Sequence, residues 1–207
     1  MIDANTNLAI IRLVAAKIEE QKDFLTELDQ PIGDSDHGIN MARGFSEVVA
    51  KLPTLEGKDI GTVLKTIGMT LVSKVGGSAG PLYGSAFMKA GMSVIGKTEI
   101  DVNDFIGMLD TAVEAVRQRG KSTTEEKTML DAMVPAAAAI RRAVEAGAGP
   151  KEAFDAGVAA AWAGVEHTKE LIATKGRASY VGERGIGHQD PGATSFAFML
   201  EAIASAL

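Results

Sequence analysis

The chain has 207 residues, 46% of them hydrophobic and 23% charged, with a formal net charge of −6 and no cysteine. That balance can fill the core of one packed domain. The negative charge speaks against a nucleic-acid surface, and the lack of thiols excludes disulfides, thiolate metal sites and cysteine nucleophiles. No apolar run reaches membrane-spanning length. The opening Met1-Ile-Asp-Ala-Asn-Thr-Asn7 has no basic stretch leading into an apolar one, so a cytoplasmic setting with no membrane contact is expected.

Helical spacing governs almost every stretch. Ile11, Val14, Ile18, Leu25 and Leu28 fall on one face of a long first helix. A second runs from about Gly38 to Leu52 and stops before Pro53. Ile60, Val63, Ile67 and Leu71 mark a third, ended by Gly76-Gly77. A fourth starts near Pro81, a residue suited to a first helical turn, and ends near Gly96. Asp101 caps a fifth, with Phe105, Leu109, Val113 and Val116 inward and Gly120 as its stop. A sixth covers roughly Thr128 to Ala146. The seventh, from Pro150 to about Ala173, carries the only tryptophan, Trp162. The last runs from near Pro191 to the C-terminus. Alternating β-type segments are almost absent. We therefore expect an all-α chain, a single domain over residues 1–207, built as an eight-helix antiparallel up-and-down bundle. One long connection, Thr174 to Asp190, is expected to be ordered because it contains Tyr180, Val181 and Ile186.

Three stretches carry chemistry. Asp29, Asp34 and Asp36 crowd within Asp29-Gln-Pro-Ile-Gly-Asp-Ser-Asp-His-Gly-Ile-Asn40. Such crowding calls for a counter-charge, and a hard divalent cation prefers carboxylate oxygens. An EF-hand fails on spacing, since the twelfth position counted from Asp34 is Phe45 rather than glutamate. Open ligation by three carboxylates suits Mg²⁺, which keeps waters and shares substrate phosphates. A solvated acidic turn is the plain alternative; His37 and Asn40 beside it favour the metal. Gly76-Gly-Ser-Ala-Gly-Pro-Leu-Tyr83 feeds a helix N-terminus, an anion-binding arrangement, although glycines between helices equally serve close packing. It is neither a Walker A loop nor Gly-x-Gly-x-x-Gly. The third stretch, Gly176 to Ser195, offers Arg177 and Arg184 to phosphate and Asp190 as an N-cap to the last helix. Its arginines could instead pair with Glu183 and other carboxylates. His37 and His188 fall in these loops, whereas His167 lies mid-helix and is given no function. Together the stretches suggest a metal–nucleotide site at one end of a helical bundle.

These residues resemble a known family. Asp29 to Met41, Gly76 to Gly84, Lys127-Thr-Met129, Gly176-Arg-Ala-Ser-Tyr180 and Gly187-His-Gln-Asp-Pro-Gly-Ala-Thr194 are similar, in order and at fitting intervals, to the nucleotide-binding L subunits of bacterial dihydroxyacetone kinases. The resemblance implies an eight-helix barrel with nucleotide at one end and two Mg²⁺ ions held by Asp29, Asp34 and Asp36. It implies ADP or ATP contacts from His37, Gly38, Ile39, Asn40, Ser78, Ala79, Gly120, Met129, Arg177, Asp190, Pro191 and Gly192. It also implies a separate K subunit holding dihydroxyacetone and an M subunit whose phosphohistidine recharges bound ADP. No general base is expected on this chain. One departure stands out: Glu125-Glu126 precede Lys127 where family members often carry Gly-Asp. The expected function is phosphoryl transfer from bound nucleotide. Alternatives are a kinase subunit using exchangeable ATP, on dihydroxyacetone or another keto-sugar such as erythrulose, or a nucleotide-loaded module that docks on a transcription regulator.

Overall fold

Residues 1–207 are described by a computed structural model. A two-residue strand, β1 (Ile2–Asp3), leads into α1 (Ala4–Glu20) and α2 (Lys22–Asp29). Next come α3 (His37–Lys51), α4 (Ile60–Lys74), α5 (Ala79–Ser93) and a second two-residue strand, β2 (Glu99–Ile100). Helices α6 (Val102–Gly120), α7 (Leu130–Glu145), α8 (Pro150–His167) and α9 (Pro191–Ala204) complete the chain. The strands pair only with each other, Ile2 opposite Ile100.

The expected eight staves are present as nine helices because the first is interrupted. Gln21 leaves helical geometry at ψ 8°, so α1 and α2 are two segments of one stave. Both segments pack on α3 and on α9, and every later helix packs on its chain neighbours, which closes the ring. A cluster of 48 buried side chains draws on every stave, from Ile18 and Leu25 to Phe154 and Leu200. Contact between α4 and α5 is made possible by facing glycines. A Cβ on Gly68 would lie 2.6 Å from the Gly84 carbonyl oxygen, and one on Gly91 would lie 2.6 Å from that of Gly61. No helix is long and apolar enough to cross a membrane.

One expectation needs correction in its extent and another in its cause. The seventh predicted helix does not reach Ala173: α8 ends at His167 and a 3₁₀ turn, Thr168–Glu170, follows. The reason is chemical. The Thr168 carbonyl accepts the buried Lys127 ammonium at 2.5 Å and the Leu171 N–H of the 3₁₀ turn at 3.3 Å, rather than the Ile172 N–H that would continue the helix. The Thr168 hydroxyl meanwhile donates to the Val165 carbonyl and accepts from the Asp190 N–H. The connection 174–190 is ordered as expected, with 3₁₀ turns at Arg177–Tyr180 and Gly182–Gly185. Its apolar residues are not the cause, because Tyr180 is 86% and Ile186 49% exposed. Polar ties from the 121–129 loop hold it instead. Lys127 donates to the His188 carbonyl at 2.5 Å. Glu126 accepts the Thr174 hydroxyl at 2.7 Å and pairs with Lys175.

Candidate functional site

Alternating helix direction brings the N-termini of α3, α5, α7 and α9 to the end of the ring where α2, α4, α6 and α8 finish. The two ends are capped differently. At the far end the carboxylates of Asp3, Asp59 and Asp101 accept the N–H groups of Thr6, Thr62 and Asp104 at 2.7, 2.9 and 2.9 Å. At the near end α9 is capped likewise, by Asp190 on the Ala193 N–H at 2.6 Å. Asp36 and Ser78 occupy the cap positions of α3 and α5, yet neither side chain caps its helix. At the start of α7, beside Met129, the Thr128 hydroxyl and carbonyl oxygens accept the Leu130 and Asp131 N–H groups at 3.2 and 3.0 Å. Open N–H groups at the starts of α3 and α5, the positive ends of helix dipoles, suit an anion.

The Asp36 carboxylate, free of a capping role, joins Asp29 and Asp34. One oxygen from each lies within 4.8 Å of the others. Asp29 closes α2 and is buried, and its Oδ2 accepts the backbone N–H groups of Asp36 (3.0 Å) and His37 (3.3 Å). The intervening Ser35 takes φ +60°, a left-handed conformation that folds the loop back on itself. This acidic oxygen set fits a hard divalent cation. Gly33 is required beside it, since a Cβ there would lie 1.9 Å from Asp29 Oδ1. Gly33→Ala is therefore expected to weaken Mg²⁺ binding by about 10- to 100-fold without changing any charge, measured by calorimetric titration. Unaltered affinity would show that Asp29 is not a ligand.

The other sequence-derived residues gather round this cluster. The first turn of α3 carries His37, Gly38, Ile39 and Asn40. Ile39 is half exposed, while Asn40 is buried and its Oδ1 accepts from Arg43 at 2.6 Å. A Cβ on Gly76 would meet that same Oδ1 at 2.7 Å, so the glycine-rich turn leading to Ser78 and Ala79 lies directly against Asn40. Gly120 ends α6 next to Leu82 of α5, and Met129 packs on Gly192. Arg177 reaches across from its loop and places Nε 2.9 Å from Asp34 Oδ2. Both partners are substantially exposed, so this pair holds the guanidinium loosely over the cluster. Arg184 makes no ion pair.

Burial sets the electrostatics behind the cluster. It pushes the His37 ring down to about 4 against the pull of Asp29 and Asp36, so the ring is neutral near pH 7. Burial also pushes Asp190 up to about 7, opposed by the Ala193 N–H and by Lys127. Lys127 in turn is lowered by burial. Sequence reasoning gave no role to Lys127, Tyr83 or Ser195, all of which are buried here. The Ser195 hydroxyl lies 2.9 Å from His37 Nε2 and 2.7 Å from the Tyr83 hydroxyl. Its signal in the sequence was Thr194-Ser195 inside an otherwise apolar helix.

A model of the DAK2 domain matches residues 31–205. The chain belongs to the DAK2 family. Among its relatives is the PEP-dependent dihydroxyacetone kinase ADP-binding subunit DhaL of Escherichia coli. That protein is 44% identical over 186 residues, covering 90% of this chain and 89% of the relative. The ADP-binding subunit DhaL of dihydroxyacetone kinase 2 from Listeria innocua is 46% identical over 196 residues, covering 94% and 90%. The crystal structure of the C. freundii dihydroxyacetone kinase with AMP-PNP and Mg²⁺ superposes with a TM-score of 0.75 at 25% identity. That match covers 97% of this chain but only 33% of the C. freundii chain. Glu125 sits at φ +66°, a left-handed conformation that favours glycine. Here the turn is held from outside: the Glu125 N–H donates to Asp131 at 2.5 Å, and its carboxylate meets His167 Nε2 at 3.0 Å. That contact, with Glu170 on the other ring nitrogen, raises the His167 pKa.

Proposed function

We infer that the chain, acting as one domain, is the ADP-binding subunit of a cytoplasmic dihydroxyacetone kinase. Its nucleotide acts as a coenzyme whose terminal phosphate passes to dihydroxyacetone on a separate K subunit. A phosphohistidine on an M subunit restores that phosphate. The observation that carries this reading is the Asp29–Asp34–Asp36 cluster beside the uncapped starts of α3 and α5.

Phosphoryl transfer asks the protein mainly for positioning and charge stabilisation. Asp29, Asp34 and Asp36 would hold two Mg²⁺ ions, which would supply neutralisation of the phosphate charge. The N–H groups at Ser78 and Ala79, and those of Gly38 and Ile39 between His37 and Asn40 in the first turn of α3, would bind phosphate. Arg177 can leave Asp34 for a phosphate oxygen at small cost, because an exposed pair is worth only about 0–1 kcal/mol. Met129 with the Asp190-Pro191-Gly192 turn, and Gly120 across the opening, would enclose the rest of the nucleotide. The chain contributes no nucleophile or general base, so activation of the accepting hydroxyl belongs to the K subunit.

Protein purified without added nucleotide is expected to release one equivalent of ADP on denaturation, read by mass spectrometry. It is also expected to support transfer with K and M subunits from phosphoenolpyruvate but poorly from free ATP. Protein without bound ADP that turns over on free ATP would overturn the coenzyme reading in favour of an ordinary ATP-dependent subunit. Protein inactive with every K and M pair would point to a regulatory module.

A further inference from the structure

One hydroxyl joins three separate pieces of the site. Ser195, on the first turns of α9, is fully buried, and its Oγ has three neighbours: Tyr83 hydroxyl at 2.7 Å, His37 Nε2 at 2.9 Å and the Gly192 carbonyl at 3.1 Å. Tyr83 comes from α5 and is itself 2% exposed, and its hydroxyl also reaches the Gly192 carbonyl at 3.0 Å. His37 opens α3 between the acidic loop and Gly38. The starts of α3, α5 and α9 are therefore tied through a single oxygen.

Three oxygens, the Ser195 and Tyr83 hydroxyls and the Gly192 carbonyl, lie within 3.1 Å of one another with two hydroxyl protons among them, so one of the three pairs lacks a proton in any arrangement. A serine hydroxyl donates once and accepts twice. With a proton on His37 Nε2, Ser195 accepts from the ring and both hydroxyl protons serve the oxygen pairs: Tyr83 donates to Ser195 and Ser195 to Gly192, or Ser195 donates to Tyr83 and Tyr83 to Gly192. Three of the four contacts are then satisfied. If Ser195 instead donated to His37, only the Tyr83 proton would remain for the three oxygen pairs, and two of the four contacts would lack a proton. Buried polar groups of this kind are satisfied as a rule.

We propose that Ser195 is a positioning residue for the nucleotide site, fixing His37 as the tautomer protonated on Nε2 with Nδ1 left as an acceptor. A ring held this way accepts from an O–H on the ligand side, such as a ribose hydroxyl or a water on a divalent cation, and cannot donate from Nδ1 to a phosphate oxygen. The tautomer is set within the chain. Its link to affinity rests on the ADP-binding reading above.

The chain has three histidines, so ¹⁵N-histidine labelling with a long-range ¹H–¹⁵N spectrum resolves each ring, and a His37→Gln variant identifies the signal. The expected result near neutral pH is a fixed His37 signature with the proton on Nε2. In Ser195→Ala that signature is expected to collapse toward a tautomer average, with ADP affinity about tenfold weaker by calorimetry. Tyr83→Phe is expected to keep the Nε2–H signature, since Ser195 still accepts from the ring. A wild-type ring protonated on Nδ1 would overturn the proposal without any variant. So would a Ser195→Ala protein whose ring spectrum is unchanged. If the wild type bound no ADP, the functional reading would fall, while the ring spectrum would still decide the role of Ser195.

Discussion

Asp36→Asn is expected to lower phosphoryl transfer by on the order of 10³-fold while leaving the metal-free fold within about 0.5 kcal/mol of the parent. The two halves of that expectation come from the same fact. Asp36 stands at the cap position of α3 but its carboxylate caps nothing, so the fold does not depend on its charge. Its oxygens share a space with those of Asp29 and Asp34, a crowding that a divalent cation would relieve. Asparagine keeps the size and can serve as a helix cap. In a thermal melt, Mg²⁺ with ADP should raise the Tm of the parent and leave that of Asp36→Asn unmoved. A variant with parental turnover would remove Asp36 from the metal site.

Lys127→Met is expected to cost about 3 kcal/mol, because removing one partner strands buried polar groups. For a chain of this size that is a fall in Tm on the order of 10 °C. Lys127 is 1% exposed, and its ammonium ends between the carbonyls of Thr168 and His188. Methionine fills the stem but leaves the His188 carbonyl without a donor, leaves the Thr168 carbonyl only the Leu171 N–H at 3.3 Å, and removes a positive charge that acts on Asp190. The same bonds stop α8 at His167 and fix the connection that carries Arg177. Amide hydrogen exchange across residues 168–190 should therefore rise well beyond that of the core helices, and ADP affinity should fall with it. Exchange confined to the parental pattern would mean that other contacts order this connection.

The staves were legible because each buries a stripe at helical spacing, and the caps at Asp101 and Asp190 and the prolines at 81, 150 and 191 lie at or within the first turn of their helices. What escaped was set by partners distant in sequence. Nothing near Gln21 announces the break that divides the first stave. The early end of α8 is caused by Lys127, some forty residues upstream. Tyr180, Val181 and Ile186 suggested an ordered connection, and it is ordered, but buried charge and carbonyls rather than Tyr180 and Ile186 hold it. At the site, the three aspartates were legible as a set because charge crowding is a local property of the sequence. Ser195 was not, since its meaning depends on His37 and Tyr83, which meet it only across the closed ring. Glu125 stood out as a departure from the resembled pattern, and only the backbone shows its local role: it takes a left-handed turn that favours glycine.

The central claim is that Asp29, Asp34 and Asp36 hold the cations that hold the nucleotide's phosphates. The direct measurement is the ³¹P spectrum of ADP bound to the protein while paramagnetic Mn²⁺ replaces Mg²⁺. The account predicts broadening of the β-phosphate resonance that saturates at two Mn²⁺ per chain and is absent in Asp36→Asn. Bound ADP whose β-phosphate stays sharp as Mn²⁺ is added, or broadening that survives Asp36→Asn unchanged, would contradict it.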